Sequence, residues 1–172
     1  MDNYFSKVIN KLKELNSEEI QSISNLIKNC KGIIYIVGNG GSATTANHFA
    51  VDLSKGAGIK AISLCANSGL ITAISNDYNF IDSYSEQVKL FINEKDILIV
   101  ISVSGDSLNI IRAVIEAKRK KAKIIGLLGK DGGTVKHYCD DRIIVECDNY
   151  GVVEDCHLIV AHNIAGRLRN EN

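Results

Sequence analysis

The chain has no proline among its 172 residues. That excludes Pro-rich linkers and fits a close succession of helices and strands. It has no charge excess either, because 20 Lys and Arg balance 20 Asp and Glu. Such a balance offers no electrostatic footprint for nucleic acid or an anionic membrane, so neither is expected as a partner. Apolar runs are only a few residues long, too short to span a bilayer. No Cys-x-x-Cys occurs. The five cysteines (Cys30, Cys65, Cys139, Cys147, Cys156) are scattered and odd in number, which excludes a zinc ribbon and a thioredoxin-like redox site. They are expected to be reduced thiols of a cytoplasmic protein, packed as small hydrophobes where apolar residues flank them. The start Met1-Asp2-Asn3-Tyr4 lacks the charged-then-apolar pattern of a secretion signal.

What is present is an ordinary globular mixture, 45% hydrophobic and 23% charged, in a chain of one domain's length. Residues 1–172 are expected to form a single domain, a helical pair over 1–30 followed by an α/β core over 31–172. Val8, Ile9, Leu12 and Leu15 recur at helical spacing, as do Ile20, Ile23, Leu26 and Ile27, with Ser17 as a weak cap of the second helix. The period then changes. Short, almost wholly apolar runs at 32–37, 61–64, 97–101, 123–128 and 142–145 predict strands buried on both faces, as in a parallel sheet. Helices are expected between and after them at 42–55, 78–92, 107–121, 132–138 and 150–169. The alternation predicts a three-layer, doubly wound α/β fold with five parallel strands, and ligands at the loops after the strands.

Two of those loops carry chemistry. The first strand runs into Gly38-Asn39-Gly40-Gly41-Ser42-Ala43, where glycines let the backbone approach a ligand and the next helix presents free N–H groups. Ser42 is placed as an N-cap or as a hydroxyl donor to phosphate. The run is not Gly-x-Gly-x-x-Gly and carries no Gly-Lys-Ser/Thr, so it is read as neither a dinucleotide fingerprint nor a P-loop. The third strand runs into Ser102-Val103-Ser104-Gly105-Asp106-Ser107, whose hydroxyls and backbone N–H groups suit a phosphate dianion. A helix cap by Ser107 or Asp106 would be the plainer use.

Further along, His48 and Asp52 stand four apart and so share one helical face. Such a pair can hold a metal ion, act as acid and base, or simply hydrogen-bond. The last helix offers Glu154, Asp155, His157 and His162. Glu154 and His162, eight apart, are separated by about 12 Å along the helix, so spacing alone favours His157 as the partner of Glu154. His137 reads as a solvated surface residue.

The two loops on one sheet, behind two N-terminal helices, resemble the sugar isomerase (SIS) domain family and, within it, the phosphoheptose isomerases. The resemblance rests also on His48-Phe49-Ala50, on 70–78 with Asn76-Asp77, and on Gly126-Leu127-Leu128-Gly129-Lys130-Asp131-Gly132-Gly133. It implies an aldose–ketose isomerase that converts sedoheptulose 7-phosphate through an enediol for heptose biosynthesis. By that resemblance Asn39, Gly40, Gly41, Asn76 and Asp77 contact the sugar, Ser102, Ser104 and Ser107 hold the phosphate, and Ser42 and the backbone of Val103 also bind substrate. It implies further that His48, Asp52, Glu154 and His162 ligate zinc, with Asp52 and His162 also the catalytic pair and Asp52 and Glu154 also touching substrate. His157 is then left to packing or to support of the ligands. The family normally has glutamate at the position of Asp52, glutamine at Glu154 and threonine at Val103. Asp52 keeps the carboxylate but loses one methylene of reach, while Glu154 adds a charge that favours a divalent cation. The resemblance also implies a homotetramer with active sites between subunits, Asp52 and His162 coming from different chains. The competing readings are a non-catalytic SIS protein that binds a sugar phosphate or a partner, and an isomerase of another phosphosugar.

Overall fold

Five short β-branched runs become the five strands of one parallel sheet in the computed structural model, which describes residues 3–170. Met1 and Asp2, on which part of the reading of the chain's start rested, lie outside the described residues. The helices α1 (Tyr4–Glu14) and α2 (Ser17–Lys28) precede β1 (Ile34–Gly38). Then come α3 (Gly41–Val51), β2 (Ala61–Ser63), α4 (Ser68–Asp77), α5 (Ser85–Phe91), β3 (Ile97–Ser102), α6 (Leu108–Arg119), β4 (Lys123–Gly129), β5 (Asp141–Val145) and α7 (Tyr150–Asn170).

The strand order is β2-β1-β3-β4-β5. Residues alternate faces along each strand, yet both faces are apolar because both are covered. Ile34 and Ile36 of β1 and Ile97, Ile99 and Ile101 of β3 pack with Ile23 and Ile27 of α2, Phe49 of α3 and Ile164 of α7. Tyr35, Val37, Leu98 and Val100 point the other way, onto Val88 of α5 and Ile110, Ala113 and Val114 of α6. Fully burying each Ile or Leu contributes roughly 1.5–3 kcal/mol. α1 has no buried residue, and leans Val8 and Leu12 on Val152, Val153 and Cys156 of α7.

The direction in which successive strands are added reverses between β1 and β3, the switch point at which the loops after two strands part and leave a crevice. Gly38 pairs with Ile101, so these strands end level and deliver both loops to one place.

Several boundaries differ from those expected. Asn16, not Ser17, caps α2, its side chain accepting from the Glu18 N–H at 2.8 Å. Residues 68–77 form a helix of their own, started by the Asn67 side chain, which accepts from the Leu70 N–H. The helix expected at 78–92 divides into a 3-10 turn, Phe80–Asp82, and α5, because extended Asn79 caps a new start. At 132–138 there is only the 3-10 turn Val135–His137, since Gly132 and Gly133 have positive φ and break any longer helix. All five cysteines are free thiols, and burial pushes Cys139 and Cys156 up to about 11, which keeps them protonated. No helix among the described residues is long and apolar enough to cross a membrane.

Candidate active site

The glycine loop leaves β1 with Gly40 at φ 55°, a left-handed conformation suited to glycine, and Gly40 occupies the N-cap position of α3. Ser42 is therefore not the cap. It is buried in the first turn of α3 and lines a small pocket with Asn39, Ser102, Ser104, Ser107, Tyr150 and Glu154. Val103 also lines it, but its side chain is buried with Val145 and Val152, so only its backbone faces a ligand.

The serine loop is held so that its hydroxyl protons are free. Ser102 Oγ accepts from the Gly105 N–H at 3.0 Å, and Ser104 Oγ accepts from the Asp106 N–H at 3.2 Å. An oxygen engaged as acceptor leaves its O–H to donate elsewhere. Ser107 sits at the N-cap of α6 but makes no capping hydrogen bond, so the plainer use of that residue is absent. Asp106 turns away to accept from the backbone and hydroxyl of Thr134, both at 2.8 Å. The loop is seated by Gly105 at φ 67°, where a Cβ would lie 2.1 Å from the Gly132 carbonyl oxygen. Three hydroxyls and the start of α6 thus converge where an anion fits.

A second centre lies farther along α3 and α7. His48 and Asp52 are on one face, as their spacing predicts, with Asp52 the first residue of a π-helical turn, Asp52–Gly56, that ends the helix. Packing of α7 beside α3 brings His162 to them. The His48 and His162 Nε2 atoms are 3.1 Å apart, and each lies 3.6 Å from Asp52 Oδ2. Asp52 Oδ1 has Arg169 Nη2 at 3.8 Å, whereas Oδ2 is buried with no hydrogen-bond partner. Leaving a buried carboxylate oxygen unpaired is costly, so its natural occupant is a cation. Two imidazoles and a carboxylate are a zinc-type donor set, and ligands about 2.0–2.2 Å from one ion stand roughly 3.3–3.6 Å apart at the tetrahedral angle. The three side chains fit a metal ion.

The other residues expected at the site fall in three places. Glu154 is not in this group of three: its carboxylate packs over Gly41 and lines the serine pocket. The reason is the eight-residue offset from His162, about 12 Å along the helix. Asp52 and His162, expected from different chains, meet within one. Asn76 and Asp77 are exposed at the end of α4, where Asn76 donates to Asp77, and they do not line the serine pocket. His137 is exposed, as expected.

Sequence reasoning missed Asn109 altogether, and left His157 as packing or ligand support. His157 is fully buried with neither ring nitrogen hydrogen-bonded. Burial pushes it down to about 4. It stays neutral and is packed in the core of α7.

The SIS domain family model matches residues 3–129. The chain is 35% identical over 161 residues to the phosphoheptose isomerase of Helicobacter pylori (strain P12), covering 91% of this chain and 83% of that one. It is 40% identical over 141 residues to the phosphoheptose isomerase of a Nitratiruptor species, covering 79% and 75%. The solved phosphoheptose isomerase of Neisseria gonorrhoeae superposes with a TM-score of 0.90 at 29% identity, over 96% of this chain and 95% of that one. The family model over residues 3–129 and relatives 35% and 40% identical over most of the chain show that this chain belongs to the phosphoheptose isomerase family of SIS-domain proteins.

Proposed function

We propose that this aldose–ketose isomerase converts sedoheptulose 7-phosphate to a heptose 7-phosphate. Ser102, Ser104 and Ser107, with the Val103 backbone and Ser42, take the phosphate, while Gly40, Gly41 and the backbone of Asn39 follow the sugar chain. Binding energy from that inert end orients C1 and C2 at the reaction centre. Asp52 removes the C1 proton as the C2 oxygen gains one, giving the enediol. Loss of the O1 proton and protonation at C2 then complete the aldose, with His162 carrying protons between the two oxygens. His48, Asp52 and His162 would hold a divalent cation, zinc by its donor set, and such an ion supplies positive charge where oxyanion character develops.

Glu154 gives the reading its quaternary part. In its own chain it faces the serine pocket, about 12 Å along α7 from His162. A fourth ligand role for Glu154, as the family pattern implies, therefore needs the cation of another copy. The serine pocket of one subunit then faces the His-Asp-His group of its neighbour. The half-exposed side chains of His48 and His162 suit such an arrangement. Asn76 and Asp77, exposed on α4, are assigned to the sugar in the same assembled site. The assembly is a homotetramer acting in the cytoplasm, in keeping with five free thiols.

The observation that carries the reading is the pair of imidazole nitrogens meeting an unpartnered, buried carboxylate oxygen on the helices that also line the serine nest. Co-expression of two differently tagged chains tests it. One carries Ser102→Ala, Ser104→Ala and Ser107→Ala, and the other Asp52→Asn. Each alone is inactive on sedoheptulose 7-phosphate, and purified mixed oligomers recover activity. Mixed oligomers as inactive as either parent overturn the shared site, and wild-type protein without turnover overturns the isomerase reading.

A further inference from the structure

Asn39 and Asn109 close a reciprocal amide pair across the crevice. Asn39 Nδ2 donates to Asn109 Oδ1 at 2.8 Å, and Asn109 Nδ2 donates back to Asn39 Oδ1 at 2.9 Å. Asn39 belongs to the glycine loop after β1. Asn109 is in the first turn of α6, directly behind the serine loop, and only 3% exposed. Its oxygen accepts a second bond, from the Ile110 N–H at 3.0 Å, which fixes the amide's orientation on the helix. The glycine loop is pinned on its other side as well, because the buried Tyr84 hydroxyl donates to the Gly38 carbonyl at 2.7 Å.

Resting on the phosphosugar reading above, we infer that Asn109 is a positioning residue that locks the glycine loop to the serine loop and so sets the distance between the two substrate-binding turns. The two loops descend from neighbouring parallel strands and share no backbone hydrogen bond beyond the strand ends. Within the sheet their spacing is set by the ladder, whereas at the loops it is set by side chains. A planar pair with two parallel N–H···O bonds resists both sliding and twisting, which a single bond does not. The pairing also reassigns Asn39. Its carbonyl oxygen and one amide proton are committed to Asn109, so what it presents to a sugar is its backbone and the remaining amide proton.

The test is a cycle of full-length Asn39→Ala, Asn109→Ala and the double variant, with two readouts. In the first, each single variant lowers kcat/KM for sedoheptulose 7-phosphate by about 10- to 100-fold, the scale of an ångström-sized misplacement. The double variant is no worse than the poorer single, because either change alone breaks the same pair. Losses that multiply in the double variant overturn the inference. In the second, inorganic phosphate raises the melting temperature of the wild type, and Asn39→Ala, although outside the serine loop, reduces that rise as much as Asn109→Ala. An undiminished rise in Asn39→Ala overturns the inference. Should Asn109→Ala fail to fold, Asn109→Leu, which fills the buried space without a polar group, takes its place. The phosphate readout needs no turnover, so a wild type inactive on the heptulose refutes the isomerase reading while the lock is still judged. A wild type that phosphate does not stabilise refutes the serine nest and leaves the kinetic cycle to judge the lock.

Discussion

Replacing Gly41 with alanine separates the site's chemistry from the fold's stability. Gly41 opens α3 and has no positive φ, so its backbone accepts an alanine. The added methyl carbon meets the Glu154 carboxyl carbon and both of its oxygens at 2.5 Å. The obstacle is the tip of a flexible side chain, which can swing aside. Alanine is a better helix former than glycine by up to ~1 kcal/mol, and this offsets the rearrangement. Net stability is expected within about 1 kcal/mol of wild type, a melting shift of roughly 2–4 °C at most for a chain of this size. Activity fares otherwise. To reach ordinary contact the carboxylate moves by about 1 Å, a misplacement that costs on the order of 100-fold in rate. The assay pairs thermal melting with kcat/KM on sedoheptulose 7-phosphate, in wild-type and Glu154→Ala backgrounds. Gly41→Ala loses its effect where Glu154 is already gone. Wild-type kcat/KM in the single variant, or an equal loss in the Glu154→Ala background, refutes the reasoning. Gly105→Ala is the contrast. At φ 67° with the Gly132 carbonyl oxygen at 2.1 Å, the clash is with backbone and the strain is intrinsic, so it destabilises by about 1–3 kcal/mol or more.

Asp52→Asn keeps the shape of the site but removes the base, so turnover falls below detection while calorimetric binding of the sugar phosphate stays within a few-fold; substantial residual turnover reassigns the base. Protein purified without chelator carries a divalent metal by elemental analysis, and His48→Ala together with His162→Ala abolishes its uptake. A fully active metal-free enzyme removes the metal from the mechanism. His157 gives an acid-side signature. Its pKa is about 4 in the native chain and returns to its ordinary 6.5 on unfolding, so between those values the unfolded chain binds the proton and the native chain does not. Its contribution to stability is intact above pH 6.5 and is lost as pH falls toward 4, about 2 kcal/mol between pH 7.5 and 5. His157→Leu flattens that slope in denaturant titrations, and an unchanged slope would show that the proton goes elsewhere.

The parallel sheet, the strand positions and both ligand loops were legible in the sequence, because apolar period, β-branched runs and strand-end glycines act over a few neighbouring residues. The same locality made His48 and Asp52 readable as a pair, since four residues is one helical turn. It also let 132–138 pass for a helix, where two adjacent glycines instead adopt positive φ. Tertiary structure decided the rest. His162 joins the pair only because α7 packs beside α3, and Glu154, on that same helix, is carried to the serine pocket by the rise of two turns. Asn109 carried no signal of its own, for an asparagine in a first helical turn looks like any other until a second amide lies opposite it. Local order follows from the backbone's own period, but a site built from several elements follows from the register in which those elements pack, and no single stretch of the chain encodes that register.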